Sequence, residues 1–433
     1  MERPSSPPME IRDPLHGAIP VDRPETLVID HPFVQRLRGI RQLGFSHLPF
    51  PGATHTRYNH SLGVMHLAGR AFDACFRDDP FVRSEDRQAY RHCVRLAALC
   101  HDIGHAPFSH AAEFAMPPLQ ELGIGAYAPD RVAARLTARA SHEDYTVAIL
   151  TKSGLADTIR DNFPFAPEHV AALVSHEVAA PDDFFVHKGF DLRCLLSQLI
   201  SSDLDVDRLD YLVRDSFFTG AQYGQVDVNW LVSNMARHVD EDGRVSLALD
   251  RRALYAFDDF MIARFHMFVM VYFHQKSVAY EEMLKRYMRS DDCAYQLPAE
   301  LEAYRRTDDA ELMAHLRSSD NEWARRIVDL DPFRVVWEGH GPSGHAELES
   351  LHQALLAQGI DAIAVPGPGV VYGQRKPGMP PLFVVNRQGH DKRVVPMDEA
   401  TGIFERYQDE RCVGRLYVPK VMREQARSVI SGG

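Results

Sequence analysis

Long apolar runs are missing from this sequence. Nothing in its 433 residues approaches the roughly 18 consecutive apolar residues that a membrane-spanning helix requires, so no membrane partner is expected. The opening stretch MERPSSPPMEIRD lacks the charged-then-apolar pattern of a secretory signal, and a cytoplasmic location is the expectation. Cysteine is scarce. Six residues (Cys75, Cys93, Cys100, Cys194, Cys293 and Cys412) are scattered without a CxxC pair, which speaks against a disulfide scaffold or a zinc ribbon and predicts buried thiols. An excess of basic charge is lacking too. The net charge of -12 argues against a protein that coats nucleic acid non-specifically. It leaves a phosphate ligand open, because a metal and a few converging arginines reverse the potential inside one cleft. Internal repeats are absent, and low complexity is confined to the Pro/Ser-rich residues 1–8, which are expected to be disordered.

What is present reads as a soluble globular chain, 45% hydrophobic and 25% charged, long enough for more than one structural unit. From about residue 27 to residue 290, apolar residues recur at three- and four-residue spacing. Helices are expected over His31–Leu43, His92–Asp102, Leu192–Arg214 and Leu254–Met288. Arg244–Ala248, after the turn Asp240–Gly243, reads as a hairpin arm. Beyond about residue 330 the pattern changes. Phe333–Trp337, Ile360–Val365, Gly369–Tyr372, Leu382–Val385 and Arg415–Val418 read as short strands among Gly and Pro, with one helix at Leu348–Gln358. The expected fold is mainly α: a helical catalytic body over residues 9–330, then a smaller α+β region over residues 331–433.

Histidine is plentiful, with 22 copies, many of them between His55 and His142. Imidazole both ligates metals and carries protons near neutral pH. The densest signal is Leu96-Ala-Ala-Leu-Cys-His-Asp-Ile-Gly-His-Ala-Pro-Phe-Ser-His110, in which an apolar helix runs into His101-Asp102 before Gly104 and Pro107 break it. An adjacent His and Asp at a helix end offer one cation a nitrogen and an oxygen ligand. Upstream, Arg57-Tyr-Asn-His60 places a His at a helix start. Downstream, Asp203-Leu-Asp-Val-Asp-Arg-Leu-Asp-Tyr-Leu-Val-Arg-Asp215 supplies several acids. Within that run Asp207, Tyr211 and Asp215 share one helical face, while Asp205 turns away.

The ordered set His60, His101-Asp102 and a later helical Asp resembles the HD superfamily, whose H…HD…D signature holds a metal in a helical bundle. Longer motifs narrow the likeness. Asp13-Pro-Leu-His-Gly17, Gln35-Arg-Leu-Arg-Gly-Ile-Arg-Gln-Leu43, Phe50-Pro-Gly-Ala-Thr-His-Thr-Arg57 and Asp205-Val-Asp-Arg-Leu-Asp-Tyr211 look like the dNTP triphosphohydrolase branch. That branch includes the animal SAM-and-HD-domain enzyme and bacterial relatives. The resemblance covers about residues 9–290.

It implies metal ligation by His60, His101, Asp102 and Asp207, a mixed N/O set suited to Fe, Mn, Zn or Ni, with Mg joining through the substrate. His110, three residues before Glu113, matches the family's general acid, with Glu113 orienting it where the family has Asp. His105 and His142 match further active-site histidines. Arg57, Arg208 (a lysine in the family) and Arg264 match phosphate contacts. Gln42, Leu43, Tyr211, Asp215 and Tyr272 match deoxyribose contacts, with Asp215 accepting from the 3′-OH and Tyr272 leaving no space for a 2′-OH. Asp30, Gln35 and Arg38 resemble a guanine-reading allosteric site, which implies GTP or dGTP as effector of a homo-oligomer, dimer or tetramer. Asp30 reads equally as a helix N-cap. The activity implied is hydrolysis of a dNTP to deoxynucleoside and inorganic triphosphate. Two other functions fit the same residues: an HD phosphodiesterase or nuclease cutting a different ester, and a non-catalytic nucleotide sensor.

Overall fold

The computed structural model describes residues 9–78, 81, 83–367, 381–386, 393–404 and 413–432. The expected disorder of residues 1–8, the expected strand Gly369–Tyr372 and Cys412 lie outside them. The fold is mainly α, as expected, with small sheets. Among the described residues no helix is long and apolar enough to cross a membrane. Cys75, Cys93 and Cys100 are buried thiols, whereas Cys194 and Cys293 are partly exposed.

Three helices position the site. Helix Arg57–Cys75 opens on a capping box made by Thr56 and Asn59, and nearly all of its length is buried. Helix Ser84–Cys100 carries Glu85 and Asp86 in its first turn, where acids complement the helix dipole, and packs along the first helix. Helix Val206–Thr219 crosses Arg57–Cys75; Asp205 caps it by accepting from the Arg208 amide, and Gly220 ends it with a left-handed φ of 74°. Asp205 does turn from the Asp207 face, but into the protein, where it is fully buried.

Local hydrogen bonding breaks three of the expected helices. Leu192–Arg214 is two helices, Arg193–Ile200 and Val206–Thr219, because the Asp205 carboxylate accepts from the Ser202 amide and holds the link as a turn. Leu254–Met288 is divided by a π-helical turn, Phe268–Tyr272, and restarts at Gln275 under a His274 cap. His31–Leu43 reduces to Pro32–Arg36, capped by His31, and a 3-10 turn over Leu37–Gly39.

The hairpin is present, with Met235–Val239 antiparallel to Val245–Asp250. Its second arm pairs in parallel with Phe383–Val385, beyond which lies Val394–Pro396, so the C-terminal region completes a sheet begun in the helical body. A second sheet sets Val413–Val418 between Arg334–His340 and Ile363–Val365. Helix Gly341–Ala357 covers it over a small separate core that includes Leu348, Leu355 and Leu416. At the other end, the hairpin Met9–Asp13/Gly17–Val21 holds the Asp13–Gly17 turn against the helices.

Candidate metal centre and adjoining cavity

Three chain segments distant in sequence bring four side chains together. His60 lies in the first turn of its helix, His101 caps the C-terminus of Ser84–Cys100 with Asp102 following, and Asp207 lies in the first turn of Val206–Thr219. His60 Nε2 is 2.9 Å from Asp207 Oδ1 and 3.9 Å from Asp102 Oδ2. His101 Nε2 is 3.4 Å from Asp102 Oδ1 and 3.5 Å from Asp207 Oδ1. The two imidazoles meet edge-on, with centroids 5.3 Å apart.

The other ring nitrogens are committed. His60 Nδ1 donates to Asp210 Oδ2 at 2.8 Å, and His101 Nδ1 donates to the Ala98 carbonyl at 2.7 Å. Both Nε2 atoms are buried and have no hydrogen-bond partner of sound geometry. Buried polar atoms are rarely left so, and two orphaned imidazole nitrogens beside two carboxylates fit a divalent cation. Positive charge is favoured here. Burial works against protonation of His60, yet the nearby carboxylates of Asp207 and Asp210 prevail and push its pKa up to about 10. Protons and metal ions compete for the same lone pair.

Asp210 has no role in the reading of the sequence, and it anchors this centre. Besides His60 it accepts from His16 Nε2 at 2.6 Å, and from Arg214 Nε and Nη2 at 2.8 and 2.9 Å. Arg214 in turn donates to Asp13 at 2.9 Å. Burial alone would raise the pKa of Asp210, but Arg214, His16 and His60 hold it well below the usual carboxylate range. The Asp13-Pro-Leu-His-Gly17 motif thus belongs to the support of His60.

A second histidine cluster adjoins the first. The expected His110–Glu113 pair forms, at 3.0 Å, but Glu113 Oε1 also accepts from His142 Nδ1 at 2.7 Å. One carboxylate therefore orients two imidazoles. Burial would raise the pKa of Glu113, and its bonds from His110 and His142 hold it far below instead. His105 stacks on His142 with centroids 3.9 Å apart and lies 3.2 Å from Asp102, linking the two clusters. Burial, then Arg57, keep its pKa well below the ordinary value, so it is neutral. Phe108 and Ser109, immediately before His110, both sit at left-handed φ values of 52° and 57°, the kind of local strain that concentrates at functional sites.

A cavity of about 330 Å³ opens beside these clusters. Gln42, Leu43, Arg57, His110, Tyr211, Asp215 and Tyr272 all line it. Arg57 pairs with Asp102 and donates to Ser109 Oγ at 3.1 and 2.7 Å. The Tyr272 hydroxyl donates to Asp215 Oδ2 at 2.8 Å, while His55 Nε2 sits 2.7 Å from Asp215 Oδ1. His55 lies in the Phe50–Arg57 motif, but its partner is 160 residues away, and no local signal reveals it.

Some expected residues lie elsewhere. Arg208 is not in the cavity wall; it pairs with Asp205 and donates to the Ser202 carbonyl at 2.8 Å. Arg264 does not line the cavity either, although it is close enough to Tyr211 to lower that phenol's pKa against the larger effect of burial. Asp30 is exposed and forms the C-cap of helix Arg23–Ile29, which corrects the N-cap alternative. Gln35 donates to the Ile29 carbonyl at 2.7 Å and accepts from Arg38 Nε at 2.7 Å. The Arg38 guanidinium stacks 3.7 Å above the Tyr58 ring.

Residues 57–215 match the family described as HD domain, and residues 226–337 the one described as HD associated region. The chain is similar to an uncharacterised protein of Methanocaldococcus jannaschii, 29% identical over 317 residues, or 73% of this chain and 57% of that one. It is also similar to the deoxynucleoside triphosphate triphosphohydrolase SAMHD1 of Homo sapiens, 28% identical over 339 residues, or 74% of this chain and 51% of that one. It thus spans little more than half the length of these relatives. A solved hypothetical protein from Aquifex aeolicus superposes with a TM-score of 0.74 at 25% identity, covering 98% of this chain and all of that one. A phosphohydrolase from Bacteroides thetaiotaomicron shares the fold, with a TM-score of 0.66 at 22% identity, over 95% of this chain and all of its own.

Proposed function

The chain carries an HD domain with its associated region, and on that premise we propose that it is a metal-dependent hydrolase of deoxynucleoside triphosphates. Its products on this reading are a deoxynucleoside and inorganic triphosphate. The observation that carries the reading is the pair of buried, orphaned Nε2 atoms on His60 and His101, beside Asp102 and Asp207 and next to a cavity of about 330 Å³.

His60, His101, Asp102 and Asp207 would hold the cation, and Fe, Mn, Zn and Ni all suit two imidazoles and two carboxylates. When bound, such a cation supplies Lewis acidity at the α-phosphate and makes water a stronger nucleophile. The remaining work falls to the protein. Arg57 is anchored by Asp102 and Ser109 and offers its charge to the phosphates; Arg208 and Arg264, outside the cavity wall, add only longer-range positive charge, with Mg accompanying the triphosphate. Water attacks the α-phosphorus, the bond to O5′ breaks, and His110 gives O5′ its proton. Glu113 fixes the Nδ1 side of His110 and of His142, so the Nε2 side of each ring is the one presented to substrate. Neutral His105 fills the space between the clusters. Around the sugar, the bond from Tyr272 to Asp215 makes a rigid wall against a 2′-OH, with Gln42, Leu43 and Tyr211 completing the pocket. We extend the reading to a homo-oligomer activated by GTP or dGTP at Asp30, Gln35 and Arg38, where Gln35 and Arg38 are already held together.

The test is to incubate purified protein and Mn or Mg with each of the four dNTPs and four NTPs, with and without GTP, and resolve the products. Inorganic triphosphate from dNTPs, abolished in an Asp207→Ala variant of unchanged circular dichroism, is the expected result. Nucleoside monophosphates would support the phosphodiesterase reading instead. Binding without any turnover would support the sensor.

A further inference from the structure

One carboxylate in the cavity wall has no role in the chemistry above. Glu281 lies on helix Gln275–Met288 and lines the cavity, as do Gly44, Ser46 and Phe108. Its natural counter-charge is taken: Lys285, one turn on, pairs with Glu282 at 2.7 Å. Among the described residues Glu281 has no hydrogen-bond or ion-pair partner of its own. Burial, with a smaller push from Glu282 against the pull of Lys285, raises its pKa to about 7. A half-buried carboxylate with no protein partner, facing a cavity, is free to accept from a ligand that supplies donors.

The surrounding wall is flat and rigid. Phe108 stacks on Phe45 with centroids 4.4 Å apart, and Phe45 stacks on Tyr280, the residue before Glu281, at 5.5 Å. Ser46 Oγ is bonded to Ser277 Oγ at 3.0 Å, which ties this wall to the helix one turn before Glu281. With phosphates at Arg57 and His110 and the sugar at Tyr211, Asp215 and Tyr272, Glu281 is the charged side chain among the lining residues left for the base.

We infer that Glu281 reads the nucleobase, favouring guanine and disfavouring thymine. Guanine presents a ring N–H and an amino group side by side, two donors for the two carboxylate oxygens. Thymine presents one N–H between two carbonyls, whose oxygens would face the carboxylate and be repelled. Adenine and cytosine, with one amino group beside a ring acceptor, fall between. The inference rests on the proposed nucleotide reading of the cavity and deepens it.

Two measurements on the wild type and Glu281→Gln, made at pH 8 where Glu281 is mostly ionised, separate the two proposals. One is kcat/KM for dGTP and dTTP. The other is calorimetric affinity for their hydrolysis-resistant α,β-imido analogues. The expected result is a wild-type preference for the guanine nucleotide that falls about 10-fold or more in Glu281→Gln, at unchanged secondary structure, because an amide offers one acceptor and one donor in place of two charged acceptors. An identical guanine-to-thymine ratio in the two proteins would overturn the role of Glu281. If the analogues bind with the expected ratios but no triphosphate is released, base reading stands and the hydrolytic reading falls. A wild type that binds neither analogue overturns both.

Discussion

At the scale of single residues, a group poised for a ligand shows itself by what it costs in the ligand's absence. Glu281 has its pKa raised from the ordinary 4.5 to about 7, by burial first. Below pH 4.5 it is protonated in both folded and unfolded chains and has no effect on stability. As the pH rises the unfolded chain ionises first, so folding is penalised progressively, and the penalty is complete above about pH 7. Glu281→Gln is therefore expected to melt about 2 °C above the wild type at pH 8 and together with it near pH 4.5. A melting-temperature difference independent of pH would show that the carboxylate is satisfied. The sequence speaks unevenly about such residues. His60, His101, Asp102 and Asp207 could be picked out because their order along the chain matches a known pattern. Asp210 could not, although its i,i+4 spacing to Arg214 is a readable ion pair. Its two remaining partners, His16 and His60, come from 194 and 150 residues away, and nothing local marks it as the acceptor that turns His60 toward the centre. Glu281 was silent for the same reason, since a carboxylate on a helix ordinarily faces water.

At the scale of elements, apolar periodicity located the helices but not their breaks. The period runs through Ser201–Asp205 and through Phe268–His274 without interruption. What stops the helix is side-chain capping by Asp205 and His274, and the π turn sets Tyr272 where its hydroxyl meets Asp215. Close packing between helices is equally hidden in a string of letters. Gly63 lies where helix Arg57–Cys75 meets Val206–Thr219, and a Cβ there would fall 2.0 Å from Asp210 Oδ1 and 2.5 Å from Arg214 Nη2. Propensity alone favours alanine over glycine inside a helix by about 1 kcal/mol. The Asp210 carboxylate cannot swing aside, because Arg214, His16 and His60 all hold it, so overpacking outweighs propensity. Gly63→Ala is expected to destabilise the protein by about 2 kcal/mol or more in urea unfolding. It should also weaken metal binding about 10-fold or more in chelator competition, through the displaced support of His60. Stability raised above the wild type would mean that the two helices have slack.

At the scale of the whole molecule, the net charge of -12 describes the surface and not the site, where Arg57 and the imidazoles supply the opposite sign. The helical class and the strands near residues 334, 363, 383 and 415 were legible from composition and period, whereas Val394–Pro396 was not. That Phe383–Val385 would join the hairpin Met235–Val239/Val245–Asp250 was not, because sheet partners distant in sequence leave no local trace. The centre has the same long-range character, assembled from residues 60, 101, 102 and 207, and everything proposed for the cavity depends on it. The most direct measurement is an anomalous-scattering map from crystals of the protein grown with Mn. The expected result is one peak within about 2.0–2.3 Å of His60 Nε2, His101 Nε2 and an oxygen each of Asp102 and Asp207. A map with no peak there, or with the cation held by other side chains, would contradict it.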